Sequence, residues 1–225
     1  MSGRVSKRRR RVAAWTLLGA AAVAVVAAYR PAARRRYLTW GATAVEAAEP
    51  MPGDDLVADP DLVSTRAVTI AAPRGAVWPW LVQMGSGRGG AYTYDWIENV
   101  FGLDMHSTSR ILPQYQNLAA GDELPLGPDG PAMRVERCEP DRLLAFRSPD
   151  HRWAWIFQLG DDAEGTRLVS RNRIALPHAT RAQRLTYRFV MEPGSLIMER
   201  KMLRGIRDRA QAYARRREPV AAGSA

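Results

Sequence analysis

Hydrophobic positions change period several times along this chain, and the changes mark its elements. Thr65–Ala71 (TRAVTIA) places Val68 and Ile70 on one face at a spacing of two, as a half-buried strand does. Pro73 suits the first position of a helix, and Val77, Trp78, Leu81 and Val82 then form a stripe at helical spacing. Pro79 should kink or shorten that helix, and Gly85 can close it. A second short helix carries Trp96, Ile97, Val100 and Phe101; Asp95 and Glu98 stand at capping-box spacing at its start and Gly102 ends it. Strands follow at Met133–Glu139, at Leu143–Arg147 beyond a Pro140–Asp141 turn, at Trp153–Leu159 and at Thr166–Ile174. In the third of these, Trp153, Trp155, Phe157 and Leu159 share a face. The longest element is a helix over about Ser195–Arg216. Leu196, Met198, Met202, Leu203, Ile206, Ala210 and Tyr213 fill one arc of it, and Arg200, Lys201, Arg204, Arg207 and Arg215 fill the other. A strand feeding two short helices, then more strands, then one long helix predicts an α+β chain. A curved antiparallel sheet would grip the C-terminal helix around a hollow.

Ahead of these elements the pattern is different. Val12–Tyr29 (VAAWTLLGAAAVAVVAAY) runs 18 residues without a charge. As a helix it would reach about 27 Å, and Arg11 and Arg30 can snorkel to span a hydrocarbon core of about 30 Å. Trp15 and Tyr29 lie near its ends, where interfacial aromatics belong. A cleaved signal peptide is the rival reading, but Arg30 and Arg34–Arg36 follow the small residues Ala27 and Ala28 at once. The expectation is a retained, single-pass anchor in the cell membrane. Six Arg or Lys precede it and four follow, which leans toward a cytoplasmic N-terminus and leaves the side of the folded domain open.

Charge sharpens this picture. The formal net charge is +10, yet residues 37–180 hold 12 basic and 19 acidic side chains; the excess sits in residues 1–36 and 181–225. An acidic middle argues against a nucleic-acid interface, which would want a basic face on the folded core. Residues 41–63, with Pro50, Pro52, Pro60 and six acids, read as an irregular lead-in outside the core. The organisation expected is a basic tail (1–11), a transmembrane helix (12–29), a basic then acidic linker (30–63), one folded domain (64–216) and a disordered tail (217–225). Cys138 is alone, so neither a disulfide framework nor a thiolate metal cluster is expected.

Candidate chemistry is sparse. Glu199 falls inside the apolar arc of the long helix, where an unpaired carboxylate is expensive to bury. Arg171 or Arg173 is its natural partner if their strand face is concave; a solvated outer face is the alternative. Gly85–Gly90 (GSGRGG) matches a dinucleotide fingerprint in spacing, but a helical pattern precedes it where a strand is required. It reads as a flexible helix–helix loop whose Arg88 could hold an anion at a pocket mouth. Asp95 and Glu98 read as helix caps rather than a catalytic pair. Tyr92, Tyr94 and Trp96 line a cavity or simply pack. His106 is the best placed of three histidines for acid–base work, with a surface histidine as the alternative. No spacing resembles a metal site.

The runs TRAVTIAAPRGAVWPWLVQMG, YTYDWIEN and MERKMLRGIRDRA, with the Gly/Arg loop between the first two, resemble actinobacterial-type members of the START-like superfamily (SRPBCC; polyketide cyclase/dehydrase and lipid-transport proteins). The resemblance covers about Trp40 to Ala214. It implies a helix-grip fold with a hydrophobic cavity between sheet and helix, which Trp78, Met84, Tyr94, Trp96, Trp155, Met198, Glu199 and Met202 would line. The superfamily has no shared catalytic residues, so no enzyme assignment carries over. The expected function is a membrane-anchored binding protein for a lipid or other hydrophobic small molecule, without cofactor or metal. The alternatives are a polyketide cyclase-like enzyme using Glu199, His106 or Tyr94, and an interaction module with a filled core at the membrane surface.

Overall fold

A computed structural model of the protein describes residues 31–217 apart from Asp129 and Pro131. The candidate span at residues 12–29 lies outside the described residues, among which no helix is long and apolar enough to cross a membrane. The chain divides into two units, residues 1–37 and 38–225. A basic helix, α1 (Pro31–Leu38), carries the chain from the first into the second.

The second unit is built on one six-stranded antiparallel sheet. Its strands are β1 (Leu62–Ile70), β2 (Glu123–Pro125), β3 (Ala132–Glu139), β4 (Leu143–Arg147), β5 (Trp153–Asp162) and β6 (Gly165–Ile174), in the spatial order β1-β6-β5-β4-β3-β2. Among the longer strands, β3 to β6 follow as successive neighbours, and β1 closes on β6 in register from Leu62 opposite Ile174 to Ile70 opposite Thr166. The alternation read from the sequence is the alternation of faces. Val68 and Ile70 of β1, Phe146 of β4, Phe157 and Leu159 of β5 and Leu168 of β6 point to one side and form the main core. Each such side chain, fully buried, stabilises the fold by about 1.5–3 kcal/mol.

The helices cover that inner face. Helix α3 (Arg74–Val82) follows β1 and contributes the buried Val77, Trp80 and Leu81. It runs through Pro79 rather than breaking there, because the ring removes a single ladder bond while Trp80, Leu81 and Val82 stay locked in the core. The glycine loop after it closes on itself. Gly85 and Gly90 exchange two backbone hydrogen bonds of 3.1 Å, with φ of +119° and +74°, which favour glycine.

The C-terminal helical run is longer than its sequence pattern suggests. Thr180 and Gln183 form a capping box that opens α5 (Arg181–Thr186), a segment not foreseen as helix. A π-helical turn (Tyr187–Met191) joins it to α6 (Glu192–Arg217), which begins three residues before the expected Ser195. Pro193 accounts for the wide turn. It has no N–H to offer the carbonyl four residues back, and its ring would collide with that carbonyl in an α-helix.

The lead-in, expected to stay outside the core, builds a second small core on the outer face of the sheet. It contains α2 (Ala44–Ala48) and a 3-10 turn (Asp54–Val57), and it sets Met51, Ala42 and Leu56 against Ala67, Leu143, Ala145, Ile156 and Val169. Three arginines of β6 clamp it. Arg167 makes a two-pronged bond to Glu46 at 2.7 and 2.8 Å. Arg171 donates to Asp54 Oδ2 (2.7 Å), Thr65 Oγ1 (3.0 Å) and the carbonyls of Glu46 (2.6 Å) and Glu49 (3.0 Å). Arg173 donates to the carbonyls of Val57 and Ala58, each at 2.9 Å. The arginine face is thus on the outer side of the sheet but covered, and it does not reach Glu199.

Candidate functional site

On the inner face, beyond the packed end of the core, the sheet and the C-terminal helix separate around a hollow of about 340 Å³. Leu62 and Ser64 of β1, Trp153 and Trp155 of β5 and Asn172 and Ile174 of β6 form one wall. Tyr187, Met191, Ser195, Met198, Glu199 and Met202 of the C-terminal helical run form another, and Ala91, Thr93 and Glu98 close a third side. The lining is largely apolar. Its aromatic wall is stiffened by Trp153 stacked on Trp155, with ring centroids 6.0 Å apart and planes 21° apart. A second, more open cleft of about 670 Å³ lies between the loop at Ser148–Arg152 and the segment Ala175–Ala179. Trp153, Ile174 and Tyr187 border both spaces, so the cleft adjoins the hollow.

Glu199 is completely paired, and by a residue the sequence pattern did not single out. Arg66, 0% exposed, donates from Nη1 to Glu199 Oε2 and from Nη2 to Ser195 Oγ at 3.0 Å. Glu199 Oε1 accepts from Ser170 Oγ at 2.5 Å and from Asn172 Nδ2 at 3.2 Å. The indole N–H groups extend the network, Trp155 to Ser170 Oγ at 3.2 Å and Trp153 to Asn172 Oδ1 at 2.9 Å. The expected partner Arg171 is corrected to Arg66 because strand parity decides it. Arg66 shares the inward face with Val68 and Ile70, whereas Arg171 pairs across the ladder with Thr65 on the other face. That parity was the available signal: an arginine two residues before two buried strand positions.

Glu98 reverses the other expectation. The helix it belongs to, α4 (Asp95–Val100), has no side-chain cap. Asp95 instead accepts two hydrogen bonds from Ser107, at 2.8 Å from its N–H and 2.6 Å from its hydroxyl. Glu98 turns into the hollow and is 8% exposed. Burial pushes its carboxyl above the ordinary carboxylate range; the nearby Thr93 hydroxyl opposes that rise, and the charge of Asp95 adds to it. Thr93 and Glu98 do not meet in hydrogen-bonding geometry, and Thr93 Oγ1 and Glu98 Oε2 are both buried without a partner.

Of the other expected cavity residues, Trp155, Met198 and Met202 line the hollow with Glu199, and the rest do not. Met84 is buried in the main core, and Trp78 packs against that core from its edge. Tyr94 and Trp96 are exposed, Trp96 at 69%, and the Tyr94 ring meets Lys201 Nζ at 5.7 Å. Arg88 is turned back onto its own loop, donating to the carbonyls of Met84 (3.0 Å) and Val82 (2.8 Å) with its guanidinium over Tyr115. It therefore completes the end of α3 and does not stand at the hollow. His106, with its side chain 75% exposed, pairs with Asp104 at 2.9 Å away from the lining. Trp153, Thr93, Glu98, Tyr187 and Met191 are among the lining residues that sequence reasoning did not place at the site. Among the described residues no cluster of His, Cys, Asp and Glu could hold a metal ion.

No family model matches the chain, and no curated protein does. Solved structures similar to it include protein MLL2253 from Mesorhizobium loti, at 16% identity and a TM-score of 0.40, covering 70% of this chain and 100% of that one. Protein NE0264 from Nitrosomonas europaea is 12% identical with a TM-score of 0.41, covering 73% and 99% of the two chains. The Polyketide_cyc-like protein Cgl2372 from Corynebacterium glutamicum is 16% identical with a TM-score of 0.32, covering 68% and 89%. At these identities and scores the likenesses carry no argument about what this chain does.

Proposed function

We propose that the protein binds a hydrophobic small molecule or lipid in the hollow between the sheet and the C-terminal helix, and that residues 12–29 hold it in the cell membrane as a single-pass protein. The observation that carries the first part is the hollow itself. A space of about 340 Å³, walled by Trp153, Trp155, Met191, Met198 and Met202, is the size and chemistry of a small-molecule site. The methionines add an adaptable wall opposite the rigid indoles. The uncharged run and its basic flanks support the second part, with the membrane as source or destination of the ligand.

Native mass spectrometry of the full chain, followed by organic extraction, tests the binding. An apolar molecule carried at near one-to-one ratio, and lost on Met202→Arg, is the expected result. A clean protein mass with no uptake from a lipid extract overturns the reading.

A further inference from the structure

The polar groups that face the hollow are in two different conditions. Those around Glu199 bond to one another, and both of its oxygens are used. Thr93 Oγ1 and Glu98 Oε2, on the opposite side, are buried and unbonded. Glu98 is more than nine-tenths buried in this lining. A folded chain rarely leaves a buried polar atom without a partner, and two such atoms beside an apolar space are the pattern of a site whose partner comes from a ligand.

Resting on the binding function proposed above, we infer that the ligand is an apolar alcohol whose hydroxyl sits between Glu98 and Thr93 while its hydrocarbon body lies along Trp155, Met198 and Met202. A hydroxyl suits both atoms because it donates one hydrogen bond and accepts another. An ammonium group suits them less well. An ammonium can only donate hydrogen bonds, whereas the Thr93 hydroxyl has a proton to give as well as lone pairs to offer. Glu199, fully satisfied, positions Ser170 and Asn172, while Arg66 holds Ser195, and the carboxylate does not meet the ligand's polar group.

The test compares three probes of one skeleton, hexylbenzene, its terminal alcohol and its terminal amine, titrated into the full chain and followed by tryptophan fluorescence. The alcohol should bind about tenfold more tightly than the hydrocarbon, the effect of about one hydrogen bond in a dry site. Glu98→Gln should keep most of that preference, and Glu98→Leu should bring the two affinities together. Thr93→Val, which leaves the carboxyl in place, should reduce the preference and serves as the second variant if Glu98→Leu does not fold. Equal binding of alcohol and hydrocarbon by the unaltered protein overturns the inference and leaves the apolar hollow standing. Preference for the amine, or an alcohol preference that survives both Glu98→Leu and Thr93→Val, also overturns it. Binding of none of the three overturns the hollow as a site and the inference with it.

Discussion

Two buried glutamates on the same hollow behave in opposite ways because of their partners. Glu199 neutralises Arg66, which has no exposure at all. Replacing Glu199 with Ala would take the carboxylate at Nη1 away from that guanidinium, and breaking a buried pair from one side costs about 3–5 kcal/mol. The expected outcome is a loss of that order in urea unfolding, whether or not any ligand is present; a change below about 1 kcal/mol would refute the pairing as a support of the fold. Glu98 has no such partner, and its raised pKa sets the sign of a pH effect. The folded state keeps a proton that the unfolded chain gives up, so stability falls as pH climbs from the ordinary glutamate range through the raised value. Glu98→Gln should flatten that fall in urea midpoints measured across the window, and an unchanged slope would refute it. Glu46 runs the other way. Its hydrogen bonds to Arg167 hold its carboxyl low, so its contribution is present above the ordinary glutamate value and is lost as pH drops through the lowered one.

At the level of elements, one contact encloses the hollow and another covers the outer face of the sheet. Helix α6 passes close to the segment before α4, and Gly205 makes that approach possible: a Cβ there would lie 2.6 Å from the Tyr92 carbonyl oxygen and 2.9 Å from its Cβ. Gly205→Ala should therefore push the helix from its seat. The expected cost is about 1–3 kcal/mol, read as a lower melting temperature with red-shifted emission from the tryptophans of the hollow. The other contact is the clamp on the outer face. Arg171→Ala removes four hydrogen bonds to the lead-in and its sheet neighbour and leaves Asp54 short of its closest cation. Hydrogen exchange should rise at Glu46 to Val57 first, and unchanged protection there would refute the clamp. The sheet elements were legible because period-two alternation is local. The lead-in was not, since its prolines and acids read as solvated chain until the arginines of β6 supply their partners. Helix α5 and the π turn were missed for a related reason: Leu185, Phe189, Val190 and Met191 are exposed and give no core-facing stripe.

For the whole molecule, the anchor proposed at residues 12–29 and the hollow should prove separable. Deleting residues 12–29 from the full chain should release it from the membrane fraction while leaving its tryptophan-probe titration intact. Retention in membranes after the deletion would refute the anchor, and loss of probe binding would mean that the hollow depends on it. The candidate site was half legible at this scale. Trp155, Met198, Glu199 and Met202 were reachable because each lies on the apolar face of a regular element. Thr93 and Glu98 were not, because they lie beside and within a six-residue helix whose side-chain directions no periodicity specifies.

The sequence by itself determined the order of the longer elements, the apolar faces of β1 and β5 and the apolar arc of the C-terminal helix, since those follow from spacing along one segment. It also placed a carboxylate on that arc. The tertiary structure alone decided which cation meets it, because strand parity had to be combined with the approach of a helix 133 positions away in the chain. It likewise decided that the outer arginines are covered and that Glu98 is buried without a partner. Pairing and desolvation are properties of groups brought together in space, and no local pattern carries them.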